Sequence, residues 1–280
     1  MNVPQLRAGA IDFHALAWGP EDGPLALCLH GYPDTARTWR HLGPHLAERG
    51  FRVVAPYTRG YAPTDLAPDG CYQTGALARD ANALHAALGG DGDAVLIGHD
   101  WGAITAYGAA ANAPERWRRV VTMAVPPPPV ASAAFFDYAQ LKRSFYVYLF
   151  QTPLAEMVVG ADDLAFIDKL WLDWSPAYDA SDDLPHVKAA LRAPANLVAA
   201  IGYYRAMFTG GVLGGVPTQP TLYLHGADDG AFLADRVLES SAHVSAESRV
   251  EVLPGLGHFL HLEQPDQINQ MVLGWLTAQR

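Results

Sequence analysis

A chain of 280 residues, half of them hydrophobic, can bury a large core, as one big domain or as one domain carrying an insertion. Its net charge of −10 excludes the basic stripe of a nucleic-acid groove, and no apolar run reaches the length of about 18 residues that a membrane span needs. The stretch from Met1 to Pro20 lacks a basic-then-apolar secretory pattern, and two cysteines make no disulfide framework, so a cytoplasmic protein is expected.

In chain order, residues 11–18 read as an antiparallel opening strand. Short apolar runs at 25–29, 51–55, 94–97, 120–125, 221–224 and 250–253, bounded by Gly, Pro or polar residues, read as buried strands. Cys28 sits in the first of these runs as a small core residue, whereas Cys71 falls in a loop and takes no role. Residues 35–49 are expected to form a helix. Leu77, Ala81, Leu84 and Leu88 fall at helical spacing and stop at Gly89-Gly90. A helix of small residues spans 103–110, and Ile268, Met271, Val272 and Trp275 mark a final helix after Pro265. This alternation predicts an α/β fold with a mainly parallel sheet covered on both faces.

The alternation breaks at Pro126-Pro127-Pro128-Pro129, which cannot enter a sheet or a helix interior, and resumes at Thr221 after Gly210, Gly211, Gly214, Gly215 and Pro217. Helical-looking aromatic segments lie between, at 145–151 and 166–174. The expected organisation is a core domain of residues 1–125 and 218–280 with a helical cap, 126–217, inserted into it. No internal repeat is visible.

The chemistry concentrates at Gly98-His99-Asp100-Trp101-Gly102, directly after an apolar strand and before a helix. This is the small-x-nucleophile-x-small pattern of a sharp strand-to-helix turn, with an acid where serine usually stands. A serine attacking an alkyl carbon would leave an inert ether. A carboxylate leaves an ester whose own carbonyl is still open to water, so Asp100 points to alkyl electrophiles such as epoxides or haloalkanes.

That ester needs a base to activate water, and the base needs an orienting acid. In such sheets the acid follows a late strand and the histidine follows the last one. Asp229 and His258 occupy those places, and Asp228 reads as a neighbouring turn residue. The oxyanion on the ester carbonyl needs two preset donors, and the backbone N–H groups of Trp101 and of Tyr32, in His30-Gly31-Tyr32-Pro33, are the candidates.

With His30-Gly31-Tyr32-Pro33, Arg59-Gly60-Tyr61, Gly98-His99-Asp100-Trp101-Gly102 and Gly257-His258 in place, the chain resembles the α/β-hydrolase-fold epoxide hydrolases and their dehalogenase relatives over nearly its whole length. The resemblance implies two cap tyrosines that hydrogen-bond the epoxide oxygen. Tyr146 matches the first by its distance from Phe150-Gln151, and Tyr204 the second by its Tyr-Arg-x-Met context; Tyr148 and Tyr203 are the register alternatives. A phenol with a pKa near 10 can donate to a leaving alkoxide while staying protonated at neutral pH. The implied partners are a small apolar epoxide and water, with a homodimer as the assembly to test. Trp101, Tyr146 and Tyr204 are the expected substrate-binding residues.

Haloalkane dehalogenases hold halide with the Trp after the nucleophile plus an Asn or a further cap Trp. Position 32 is Tyr, but Trp171 and Trp174 keep dehalogenation as the alternative. Fluoroacetate dehalogenases carry Arg where this chain has Trp101. A ligand-binding protein that keeps the fold without turnover is the further alternative. His258 and His261 are three apart with no third ligand cluster beside them, and Gly255 and Gly257 lack the rest of a dinucleotide fingerprint, so no metal or cofactor is expected.

Overall fold

The computed structural model describes residues 5–209 and 215–278, so the return expected at Gly210, Gly211 and Gly214 lies outside the described residues. Eight strands form one sheet: β1 (Gln5–Ala8), β2 (Ile11–Trp18), β3 (Leu25–Leu29), β4 (Arg52–Pro56), β5 (Val95–His99), β6 (Arg119–Met123), β7 (Thr221–Gly226) and β8 (Arg249–Leu253). Their order is β1-β2-β4-β3-β5-β6-β7-β8. The pairs β1–β2 and β2–β4 are antiparallel, and every pair from β4 to β8 is parallel.

The pleat divides each apolar strand between two layers. In β3, Leu25, Leu27 and Leu29 face the layer containing Ala81, Leu84 and Ala106, from helices Thr74–Ala87 and Trp101–Asn112. Ala26 and Cys28 face the opposite layer, with Trp39, Leu46, Ile268 and Val272. Burial on both faces is why the central strands read as continuous apolar runs rather than alternating ones.

Three sequence expectations change. The strand β1 was not foreseen, since four residues with one fully buried side chain carry too little pattern. The last strand, β8, is half-exposed rather than buried, because it closes the sheet edge, where Arg249 and Glu251 pair at 2.5 Å. The helix expected over 35–49 is split into a 3-10 turn, Ala36–Arg40, and a short helix, Leu42–Ala47. A continuous helix would drive the Pro44 ring into the Arg40 carbonyl; in the split arrangement Pro44 sits in a first turn, where its missing N–H costs nothing.

Between β6 and β7 the described residues contain helices and no strand. The prolines there are accommodated at a helix start, with Pro128 opening Pro128–Ala134. These helices share a third apolar cluster with side chains at the C-terminal edge of the sheet: Tyr146, Trp171, Trp174, Ile201 and Tyr204 pack with Tyr32, Tyr61, Trp101 and Phe259. No described helix is long and apolar enough to cross a membrane.

Candidate active site

At the end of β5 the chain makes its sharpest turn. Asp100 has φ 53° and ψ −118°, a sparsely populated region for a residue with a Cβ, and helix Trp101–Asn112 starts immediately after it. The turn closes only because both flanking positions are glycine: a Cβ at Gly98 would collide with the Gly102 carbonyl, and one at Gly102 with the Leu29 carbonyl at the end of β3. The Asp100 N–H donates to Met123 O at 3.1 Å, tying the elbow to the end of β6. Such a conformation costs about 1–3 kcal/mol and persists because its surroundings over-determine it.

The loops after β3, β7 and β8 meet this elbow. Tyr32 N–H donates to Asp100 Oδ1 at 2.7 Å, and the Trp101 N–H bonds the same carboxylate. A Cβ at Gly31 would collide with Asp100 Oδ1, so that approach also requires glycine. His258 presents Nε2 3.8 Å from Asp100 Oδ2, with no hydrogen-bond partner, and its Nδ1 bonds Asp229 Oδ2 at 3.0 Å. Asp229 Oδ1 accepts the N–H groups of Ala231 (2.7 Å) and Phe232 (3.0 Å). The structure thus brings Asp100, His258 and Asp229 together and leaves Asp228 exposed.

Burial pushes the Asp100 carboxyl up to about 6, against the pull of His258 and the two N–H donors. Burial opposes a charge on His258, but the carboxylates of Asp229 and Asp100 outweigh it and hold the imidazole above its usual value. Asp229 goes the other way: burial would raise it, yet His258, the neighbouring His225 and the Phe232 N–H keep it below the carboxylate range. The acid beside the histidine is therefore ionised, and the one at the elbow is the more easily protonated.

A cavity of about 340 Å³ opens onto Asp100 and His258. Tyr146 and Tyr204 line it, their rings 5.6 Å apart and perpendicular, and the Tyr204 hydroxyl is buried without a protein partner. Burial first, and the Asp100 charge as well, raises both phenols well above 10, so both stay protonated donors. The register alternatives are turned away. Tyr148 is 36% exposed and packs on Phe135 and Phe208, while the Tyr203 hydroxyl donates to Arg59 O at 2.8 Å. Trp101 lines the cavity, edge-on to Tyr204 at 5.1 Å. The Trp171 N–H is spent on Pro33 O at 2.8 Å, which removes it as a halide donor.

Sequence reading missed the large apolar side chains of the cavity wall, Phe135, Phe136, Met207, Phe208 and Phe232 among them. The aromatic density at 135–150 was the available signal, but it does not say which rings face inward. One expectation needs correction. His261 does have further potential ligands beside it, because its ring lies with His99 and Asp34, their ligand atoms within 4.8 Å of one another. Asp34 comes from the loop after β3, His99 from the end of β5 and His261 from the short helix Leu260–Glu263, far apart in sequence, so spacing along the chain could not reveal them. None of the three lines the cavity.

The model of the alpha/beta hydrolase fold family matches residues 24–265. An AB hydrolase superfamily protein of Bacillus subtilis, YfhM, is 30% identical over 98% of this chain and 97% of its own. Epoxide hydrolase 3 of Xenopus tropicalis is 30% identical over 97% of this chain and 76% of its own. A solved epoxide hydrolase from metagenomes of hot environments superposes with a TM-score of 0.86 at 25% identity, covering 99% of both chains. An aspartate at the elbow, in a chain this similar to epoxide hydrolases from end to end, makes it an epoxide-hydrolase-like member of the α/β-hydrolase-fold family.

Proposed function

We propose that the protein opens a small apolar epoxide to a vicinal diol through an ester on Asp100. The observation that carries this reading is one cavity shared by a buried carboxylate and two protonated phenols. An Asp100 oxygen attacks a ring carbon as that carbon's bond to the epoxide oxygen breaks. The oxygen leaves as an alkoxide and takes a proton from Tyr146 or Tyr204, which water restores. His258 Nε2 then draws a proton from water, which adds to the Asp100 carbonyl carbon. The N–H groups of Tyr32 and Trp101 hold the oxyanion. On collapse His258 returns the proton to the departing diol oxygen, and Asp100 keeps one oxygen from water and loses its remaining proton to solvent, balancing the proton that water returned to the tyrosine.

The electrostatics suit two steps. The Asp100 charge helps to raise His258 in the free enzyme. Esterification removes that charge, so the imidazole pKa falls and more of it stands unprotonated once a base is needed.

The same reading divides the chain into a core of residues 1–125 and 218–280 and a cap of 126–217, with the cap supplying both phenols. It extends to a cytoplasmic enzyme, favoured by two unpaired cysteines, and to a homodimer, for which exposed Phe136 and Tyr138 offer an apolar surface. Dehalogenation has less support, because the Trp171 N–H is already bonded and position 32 carries no amide side chain. Turnover of styrene-type epoxides against short haloalkanes separates the two chemistries. Diol formation is expected; halide release without diol would overturn the proposal.

A further inference from the structure

The helix Ala165–Trp174 ends between the two loops that carry Asp229 and His258. Its last carbonyl, Trp174 O, accepts the N–H of Gly230 at 3.1 Å and that of His258 at 3.0 Å. The next residue, Ser175, is buried; its Oγ accepts the Phe259 N–H at 3.0 Å and donates to Glu263 Oε1 at 2.7 Å. The Glu263 carboxylate in turn accepts the Gly257 N–H at 3.0 and 2.9 Å.

Three consecutive backbone donors around the base are thus fixed by three side-by-side acceptors: Gly257 by Glu263, His258 by Trp174 and Phe259 by Ser175. Both loops are glycine where the helix end passes. A Cβ at Gly257 would lie 2.7 Å from Trp174 O and 2.8 Å from Ser175 Oγ, and one at Gly230 would collide with the Asp173 carbonyl. The Trp174 ring also packs edge-on to the His258 imidazole at 4.8 Å. None of these contacts reaches Asp100, Tyr146 or Tyr204 through a hydrogen bond.

We propose that Ser175 and Glu263 are positioning residues for ester hydrolysis: they fix the His258 backbone so that Nε2 faces the Asp100 ester, and they take no part in the attack on the epoxide. This rests on the two-step reading above. A misplaced loop swings the imidazole without breaking any hydrogen bond to Asp100 or the phenols, so the two half-reactions respond differently.

The experiment is rapid-quench single turnover of the full chain with a styrene-type epoxide, following the ester by intact mass and the diol by chromatography. In Ser175→Ala, hydrolysis is expected to slow by about ten- to a hundredfold while alkylation stays within about twofold, so the ester accumulates. Ser175→Thr, which keeps the hydroxyl, is expected to restore hydrolysis. Glu263→Gln keeps one acceptor and is expected to show the same split at smaller size, which carries the test if the alanine variant does not fold. A merely structural contact would lower both steps together or only the melting temperature. Wild-type partitioning in both Ser175→Ala and Glu263→Gln, or equal loss in both steps, would overturn the proposal. A wild-type protein that makes diol without any ester would overturn the two-step reading itself, and that shows before any variant is compared.

Discussion

The two sides of the cavity are held by different forces. On the sheet side, Asp100 is pinned by backbone: a strained φ of 53°, an N–H bonded to Met123 O, and a carboxylate accepting from Tyr32 N–H. On the helical side, Tyr146 and Tyr204 are held by rings, with Trp174 5.1 Å from Tyr146, and Tyr32 and Phe150 5.2 and 5.0 Å from Tyr204. The nucleophile has hydrogen bonds committed before substrate arrives, whereas the Tyr204 hydroxyl keeps its donor free. Geometry that must not change is built from backbone, and the groups that meet a variable substrate are left to packing.

Breaking the sheet side should have the largest effect. Asp100→Gly is expected to lower turnover by at least about ten thousandfold, since nothing else can form the ester. It also relieves the positive φ and removes a buried carboxylate, so the melting temperature should rise by about 2–4 °C. Calorimetry showing a marked fall would mean that the elbow is not strained.

The helical side is expected to be more forgiving. The double change Tyr146→Phe with Tyr204→Phe should slow alkylation by at least about a hundredfold, and each single change far less, because one phenol partly covers for the other. Full turnover in a folded double variant would remove these tyrosines from the reaction.

The difference should also appear in pH dependence. The nucleophile must be ionised, and burial raises Asp100 to about 6. Alkylation in single turnover should therefore fall as pH drops through about 6, while Tyr146 and Tyr204, raised well above 10, lose no donor over the neutral range. An alkylation plateau reaching down to about pH 4, the ordinary carboxylate range, would show that burial does not set this pKa.

The smallest effects sharpen the register. Tyr148→Phe should change neither step by more than about twofold, since its ring packs outward on Phe135 and Phe208. Tyr203→Phe loses the bond to Arg59 O and should cost about 1 kcal/mol of stability with little change in alkylation.

The sheet side was also the more legible in sequence. Gly98, Asp100 and Gly102 announce a turn because backbone sterics allow few other residues there, and the order of acid and histidine follows from where parallel strands end. Helix ends were less legible: Pro44 divides a helix that apolar spacing alone joins. Tyr146 and Tyr204 were reached through family resemblance, because helical spacing does not say which of two nearby tyrosines faces a cavity. Ser175 and Glu263 carried no signal, since their contact depends on where a helix end lands between two loops. The meeting of His261 with His99 and Asp34 was missed for the same reason: long-range packing leaves no spacing rule behind.

The most direct test of the central claim separates the two half-reactions in one variant. His258→Asn keeps Asp100 and both phenols but removes the base for ester hydrolysis. Mixed with a styrene-type epoxide, it should gain the mass of one whole epoxide, with peptide mapping placing the adduct on Asp100 and Asp100→Asn in the same background abolishing it. A folded His258→Asn protein that never gains mass across a panel of epoxides and haloalkanes would contradict the account.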